Sequence, residues 1–355
     1  MAKPFRVIDT GLRDGRRNVA FDQTMIALHK AGEIPDTIRF LRFPPTALIG
    51  RHQSLSREVR LDHCRKNGIG IARRITGGGA IYFDEGQLGW ELVFARRTLA
   101  VSNLADVTRL ICEAAALGLR RLGVDAQFRP RNDIEVAGRK LSGTGGFFDG
   151  DSLFYQGTLL IDSDMDAMVA ALKVPEAKLK KRNLDSARRR VVTLRELLGA
   201  DVPPPEAVKA ALVDGFAEGL GIEPRPGSVT ELEEAEARRR HDEDIGTEAF
   251  VAEIDEPAAG DGVLSASHSG PGGTLSAYLR LEGPGEGRVR ELLLTGDFFV
   301  TPPKTIFDLE ASLRGQPVAD VGAAVMRFFE TAPVDLSTIA PEDVRRVIEA
   351  ALATR

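Results

Sequence analysis

The stretch Arg73-Arg74-Ile75-Thr76-Gly77-Gly78-Gly79-Ala80-Ile81-Tyr82 governs the reading of this chain, together with a second glycine-rich stretch downstream. The second runs Asn132-Asp133-Ile134 and then Gly138-Arg139-Lys140-Leu141-Ser142-Gly143-Thr144-Gly145-Gly146. Three consecutive glycines let the backbone come close to a ligand and aim N–H groups at it, with no Cβ in the way. A lone lysine among small residues can then reach a phosphate or an acyl oxygen as a point charge. Either stretch alone reads as a tight hairpin. The two together, flanked by apolar β-type residues, read as halves of one phosphate-handling site.

Around these stretches the composition is that of an ordinary globular protein, 43% apolar and 28% charged. A length of 355 residues leaves room for two domains. The net charge of −5 argues against a general nucleic-acid binder, which is expected to be basic. No run of 18 or more apolar residues occurs, so a membrane span is not expected. Met1-Ala2-Lys3-Pro4-Phe5-Arg6 lacks the apolar core of a secretion signal. Only two cysteines occur, Cys64 and Cys112, with no metal-ligand spacing, which argues against a disulfide scaffold or a zinc site. The expectation is a cytoplasmic, monomeric enzyme that binds neither nucleic acid nor membrane.

Phe21, Met25 and Leu28 predict a helix over 19–31 that closes at Gly32. β-type runs follow at 37–43, 47–50, 80–83 and 87–94, and in the last Leu88, Trp90 and Leu92 alternate with Gly89 and Glu91. Leu104, Val107, Leu110, Ile111, Ala114 and Leu117 form the stripe of a helix over 104–122 that stops at Gly123. Strands or strand edges are expected at 154–162 and 191–194, and a helix over 206–220 with Val208, Leu212 and Phe216 on one face.

From Glu231 the character changes. Residues 231–244 are nearly all charged, an exposed helix or a connector. Residues 257–262 and 269–273 are rich in Gly, Pro and Ser and read as linker. Beyond them Leu275, Ala277, Leu279 and Leu281 alternate as a half-buried strand, and a second strand covers 289–294. Three amphipathic helices follow, marked by Ile306/Leu309/Leu313, Val321/Val325/Phe328 and Val344/Val347/Ile348/Ala351. The reading is a catalytic domain over 1–245, a linker over 246–272 and a small α+β accessory domain over 273–355.

In order and spacing the motifs resemble those of the lipoate–protein ligases of the biotin/lipoate ligase superfamily. That family carries R-R-x-[ST]-G-G-G-A-V, then N-D-[IL], then G-[KR]-K-[IVL]-[SA]-G, then H-G-T-[LI]-L. Here these stand at Arg73 to Ile81, Asn132 to Ile134, Gly138 to Gly143, and Gly157-Thr158-Leu159-Leu160. Ile49-Gly50-Arg51-His52-Gln53 corresponds to the family's I-G-R-x-Q-N, with Ser54 in place of Asn. Thr295-Gly296-Asp297-Phe298-Phe299 looks like the G-D-F-F segment of the accessory domain.

The resemblance implies an α+β fold, with a mixed or antiparallel-sheet catalytic domain of the biotin/lipoate ligase type. It implies ATP-dependent attachment of lipoate, through lipoyl-AMP, to a lysine of an acceptor lipoyl domain: a dehydrogenase E2 subunit, a glycine-cleavage H protein or a related protein. Lys140 would be the essential lysine, bridging the α-phosphate and the acyl carbonyl. The ATP and adenylate would be held by Arg74, Gly77, Gly78, Gly79, Ala80, Ile81, Tyr82, Asn132, Asp133, Ser142 and Gly143 with Lys140. Lipoate would meet Arg51, Gly78, Lys140, Gly157 and Thr158, and Asp133 would hold Mg²⁺.

This chain departs from the family at Phe83 and at Tyr155-Gln156, where histidines are common, and its Trp-containing segment is not recognisable over 241–254. The basic runs Lys178 to Arg182 and Arg188 to Arg190 read as a solvated loop or as an acceptor-docking surface. Two other readings stay open: an octanoyltransferase of the same fold working from a carrier thioester without ATP, and a non-catalytic lipoyl-domain binding protein. Some of those transferases use a cysteine after the motif lysine, whereas both cysteines here precede Lys140.

Overall fold

The computed structural model describes residues 2–101, 103–173, 189–257, 262–270, 273–332, 334 and 338–355. The run Lys178 to Arg182 and Arg188 therefore lie outside the described residues. The chain divides into two compact units, and the division does not follow the sequence. Unit 1 comprises Met1–Leu48, Val59–Arg73 and Ile81–Val251; unit 2 comprises Ile49–Glu58, Arg74–Ala80 and Ala252–Arg355. The triple glycine thus clusters with the C-terminal segment.

Unit 1 is built on strands β1 (Lys3–Leu12), β2 (Thr37–Arg42), β3 (Thr46–Ile49), β4 (Gly70–Arg73), β5 (Ile81–Phe83), β6 (Gln87–Ala95), β7 (Gln127–Arg129), β8 (Asp133–Val136), β9 (Arg139–Asp149), β10 (Ser152–Leu160) and β11 (Ile222–Pro226). One sheet has the order β11-β1-β2-β6-β10-β9-β8-β7, and a smaller one the order β4-β3-β5. β1 runs parallel to β2 and to β11, while the pairs from β2 to β7 across the large sheet are antiparallel. The fold is α+β with a mixed sheet, as the family resemblance implies.

Helices Leu104–Arg120 and Pro205–Leu220 cover one face of the large sheet. Leu104, Val107, Ile111 and Ala114 are buried as their spacing predicts, and Leu110 and Leu117 flank them half-buried. The two helices meet backbone to backbone: a Cβ on Gly118 would stand 2.2 Å from the Ala211 carbonyl oxygen. Trp90, Tyr155, Phe94 and Phe216 fill the space beneath. Burying each such aromatic contributes about 1.5–3 kcal/mol before its ordering cost.

Helix Gly15–Lys30 packs on the opposite face, against β6 and β10, its first N–H groups capped by the Asp14 carboxylate. An alternating strand ordinarily keeps one solvated face, yet all nine residues of β6 are buried. The reason is an ionic cluster under this helix. Arg39 reaches Asp22 at 2.6 Å, Glu91 at 2.9 Å, Asn18 at 2.7 Å and Thr10 at 2.9 Å. Burial raises the pKa of both carboxylates, Glu91 most, and the two hydrogen-bond each other. One guanidinium holding two carboxylates keeps this polar patch satisfied where a lone charge would be costly.

The charged segment after Thr230 is a helix, Glu231–Arg240, opened by a capping box between Thr230 and Glu233. Arg6 pairs with Glu233 at 2.5 Å, so one residue of this polar helix is fully buried. Leu194, read as a strand edge, instead starts the short helix Leu194–Leu198.

In unit 2, strands β12 (Leu264–Gly270), β13 (Gly273–Glu282) and β14 (Arg288–Gly296) form an antiparallel sheet, with helices Thr305–Ser312, Val321–Thr331 and Pro341–Leu352. Leu275, Ala277, Leu279, Leu294, Ile306, Leu309, Val325, Val344 and Ile348 make its core. β12 lies where the sequence reads as linker; its alternate serines are exposed and give little apolar signal. Among the described residues no helix is long and apolar enough to cross a membrane.

Candidate active site

The second glycine-rich stretch forms the hairpin β8–β9. Ala137 and Gly138 both take positive φ, 50° and 78°, the two-residue turn that suits strand twist. Asp133 pairs with Gly143 and Ile134 with Ser142, but then Glu135 pairs with Lys140. The register slips by one residue, a bulge. Without it Lys140 would lie opposite Val136, on the helix-covered face. The bulge turns Lys140 onto the face of Asp133.

There the Lys140 ammonium stands 2.8 Å from Asp133 Oδ1, with Lys140 about a third exposed. Its path crosses Gly143, where a Cβ would stand 2.4 Å from Nζ. The missing Cβ leaves the room in which the side chain lies across the sheet in this position. The Asp133 Oδ2 oxygen faces Arg129, which also pairs with Glu135 at 3.2 Å. Thr158 belongs to the same face: its Oγ1 accepts from the Gly143 N–H at 3.4 Å.

The alternate residues face the core. Ser142 is buried, and its hydroxyl has no hydrogen-bond partner. Gly157 is a packing glycine, since a Cβ there would stand 2.1 Å from the Trp90 ring. Thr144, Tyr155 and Cys112 form a buried chain, with Thr144 Oγ1 to the Tyr155 hydroxyl at 2.5 Å and to Cys112 Sγ at 3.4 Å. Burial pushes the Cys112 thiol up to about 11 and also raises that of Cys64. Neither is a thiolate at neutral pH. The Asn132 side-chain amide donates to the Thr144 carbonyl.

Within unit 2 the first glycine-rich stretch is a close-packed turn. The Gly78 N–H donates to the Phe298 carbonyl at 3.1 Å. A Cβ on Gly77 would stand 2.2 Å from that same oxygen, and one on Gly78, where φ is 92°, 2.6 Å from the Phe299 ring. Gly79 lies beside Asp297, at 3.9 Å from a built Cβ. Arg74 is buried and donates to the carbonyls of Gly77 and Gly79, each at 2.8 Å. Desolvation lowers its pKa to about 10. In this state Arg74 shapes the turn. Arg51 pairs with Glu253 at 2.7 Å and lies over the Phe307 ring.

Ala80 ends this turn, and Ile81 and Tyr82 enter β5 opposite Leu48 and Ala47. Phe83 stacks on Phe43 with centroids 4.2 Å apart. Among the described residues no group of three His, Cys, Asp or Glu side chains is placed to hold a metal. Both Asp133 oxygens are taken by cations, so the residue does not offer an open Mg²⁺ ligand as it stands. Arg129 carried no sequence signal; only the β7–β8 register brings it opposite Asp133.

The mixed sheet presents a lysine whose side chain crosses a bare glycine to reach an aspartate. The chain belongs to the lipoyl protein ligase A/B family, whose catalytic domain matches residues 14–217. Lipoate-protein ligase A subunit 1 of Thermoplasma acidophilum is 33% identical over 245 residues, 66% of this chain and 91% of that protein. Octanoyltransferase LipM of Symbiobacterium thermophilum is also 33% identical, over 67% of this chain and 94% of that protein.

Among solved structures, a chain of the bipartite lipoate protein ligase of T. acidophilum, described with its E2 lipoyl domain, is 28% identical. Its TM-score is 0.64 and it covers 72% of this chain and 100% of its own. A lipoate-protein ligase A bound with ATP is 29% identical, with TM-score 0.62 and the same coverage. LipL1 of P. falciparum shares the fold across 97% of this chain and 98% of its own, at 16% identity and TM-score 0.75.

Proposed function

We propose that this protein attaches lipoate to a lysine of an acceptor lipoyl domain in two steps. The lipoate carboxylate attacks the α-phosphate of ATP, forming lipoyl-AMP and releasing pyrophosphate. The acceptor lysine then attacks the acyl carbon, forming the amide and releasing AMP. Magnesium enters with ATP as its counter-ion.

The observation that carries this reading is Lys140, held 2.8 Å from Asp133 across Gly143. A cation delivered from there would offset charge that builds on phosphate in the first step and on the acyl oxygen in the second. Asn132 and Asp133 would position the α-phosphate side, and the Gly77–Gly79 turn with Ala80, Ile81 and Tyr82 the nucleotide. Thr158 and Arg51 would contact lipoate. The ATP-bound ligase relative and the relative described with an E2 lipoyl domain support the nucleotide and the acceptor.

The LipM likeness favours a second reading, octanoyl transfer from a carrier thioester. A cysteine acyl-enzyme needs a thiolate, and both thiols here are buried with raised pKa. Purified protein with ATP, Mg²⁺, lipoate and an E2 lipoyl domain should give the mass shift of one lipoyl group. Lys140→Ala should abolish both pyrophosphate release and transfer while the fold persists. Equal transfer from octanoyl carrier protein without ATP would replace this reading with the second.

A further inference from the structure

We propose that Arg129 is a positioning residue for Lys140, acting through Asp133. It is a second cation that keeps the Asp133 carboxylate neutralised when Lys140 turns from it to the reacting phosphate. The inference rests on the adenylation reading of Lys140. The β7–β8 hairpin places Arg129 in register with Asp133. Lys140 holds one carboxylate oxygen at 2.8 Å and Arg129 the other, with Glu135 3.2 Å from the same guanidinium.

The four groups sum to zero charge. If Lys140 alone neutralised Asp133, its departure would leave a bare carboxylate beside incoming phosphates, and the lysine would be held back. Arg129 shares that carboxylate, so the ammonium can swing away while the aspartate stays paired. Its planar fork spans Asp133 and Glu135 at once, a geometry that an ammonium reproduces only in part. Arg129 also covers the oxygen that a divalent cation would otherwise take. Its removal should therefore create a metal site where none is open now.

The test uses the full chain with Arg129→Ala, Arg129→Gln and Arg129→Lys. Nucleotide-free protein is titrated with Mn²⁺ alone, followed by electron paramagnetic resonance. The Ala and Gln variants should acquire one bound Mn²⁺ that the parent protein lacks. In lipoate-dependent pyrophosphate release, the Ala variant should lose about tenfold or more in kcat, with KM for ATP little changed. Arg129→Lys should recover much of that rate, and so should Mg²⁺ added beyond the amount that saturates ATP.

Three results would overturn the inference: unchanged kcat in the Ala variant, a loss indifferent to both Lys and Mg²⁺, or parent protein binding Mn²⁺ as tightly as the variant. Absence of pyrophosphate release by the parent protein would refute the adenylation reading instead. The Mn²⁺ arm needs no turnover, so it would still decide whether Arg129 holds Asp133.

Discussion

Two glycines, fourteen residues apart, do opposite jobs on opposite faces of one sheet. Gly143 makes way for the Lys140 side chain, a flexible obstacle 2.4 Å from a built Cβ. Gly157 makes way for Trp90, a rigid and fully buried ring 2.1 Å from one. Gly143→Ala should displace the ammonium and cut adenylation by about tenfold or more, with little change in melting temperature. Gly157→Ala should instead overpack the core and cost about 1–3 kcal/mol of stability. Denaturant titration and pyrophosphate release on both variants check the contrast; a stability loss shared equally would refute it. Glycine is legible in the sequence at both positions, and both lie in motifs. What the letters do not carry is the face each residue takes. For Lys140, which must share the face of Gly143, that depends on the one-residue slip between Ile134 and Glu135, which leaves no compositional trace.

At the scale of elements, most helices and strands were readable because their apolar periods are clean. Helix Leu104–Arg120 follows its stripe to within a turn. β12 was missed because its outward residues are serines, whereas β6 was readable from its alternation even though its second face also carries Glu91 into a buried ionic cluster. Unit 2 carries two further acids whose environments raise their pKa to about 7. Glu58 is raised by burial first, then by Asp297 and Glu256, against Arg57 and a hydrogen bond from Gln53. Glu310 is raised by burial and by Glu253, against the Leu294 N–H, Arg314 and Arg51.

A folded pKa above the unfolded value means that folding favours the protonated acid. The contribution is fully present below about pH 4.5 and is lost as pH rises through about 7. Both groups are half-buried, so screening leaves roughly 1–2 kcal/mol between them. The unit should therefore melt a few degrees lower at pH 8 than at pH 5. The double variant Glu58→Gln, Glu310→Gln should flatten that slope; a slope unchanged from the parent in thermal melts would refute the assignment.

For the molecule as a whole, the unit that contains the C-terminal segment also owns Ile49–Glu58 and Arg74–Ala80. Sequence reading could not reveal this, because spacing along a chain does not encode which distant segments pack together. Ending the chain after Val251 would strip the triple-glycine turn of Phe298 and Phe299, its packing partners. Activation must align ATP and exclude water, whereas transfer mainly needs a path for the acceptor lysine. The shortened chain should thus lose lipoate-dependent pyrophosphate release more than transfer from preformed lipoyl-AMP. Assaying each half-reaction separately checks this. Equal losses in a folded fragment would make the segment merely structural, and undiminished pyrophosphate release would refute the dependence.

The turn's debt to Phe298 also sets a clock during synthesis. Gly78 leaves the ribosome long before the carbonyl that receives its N–H has been made. At 5–20 residues per second that interval is roughly ten to forty seconds. The nascent chain can pair strands and bury Trp90 in that time, but it cannot complete the turn. A chain released early would carry the motif lysine and lack Phe298, the residue whose carbonyl receives the Gly78 N–H.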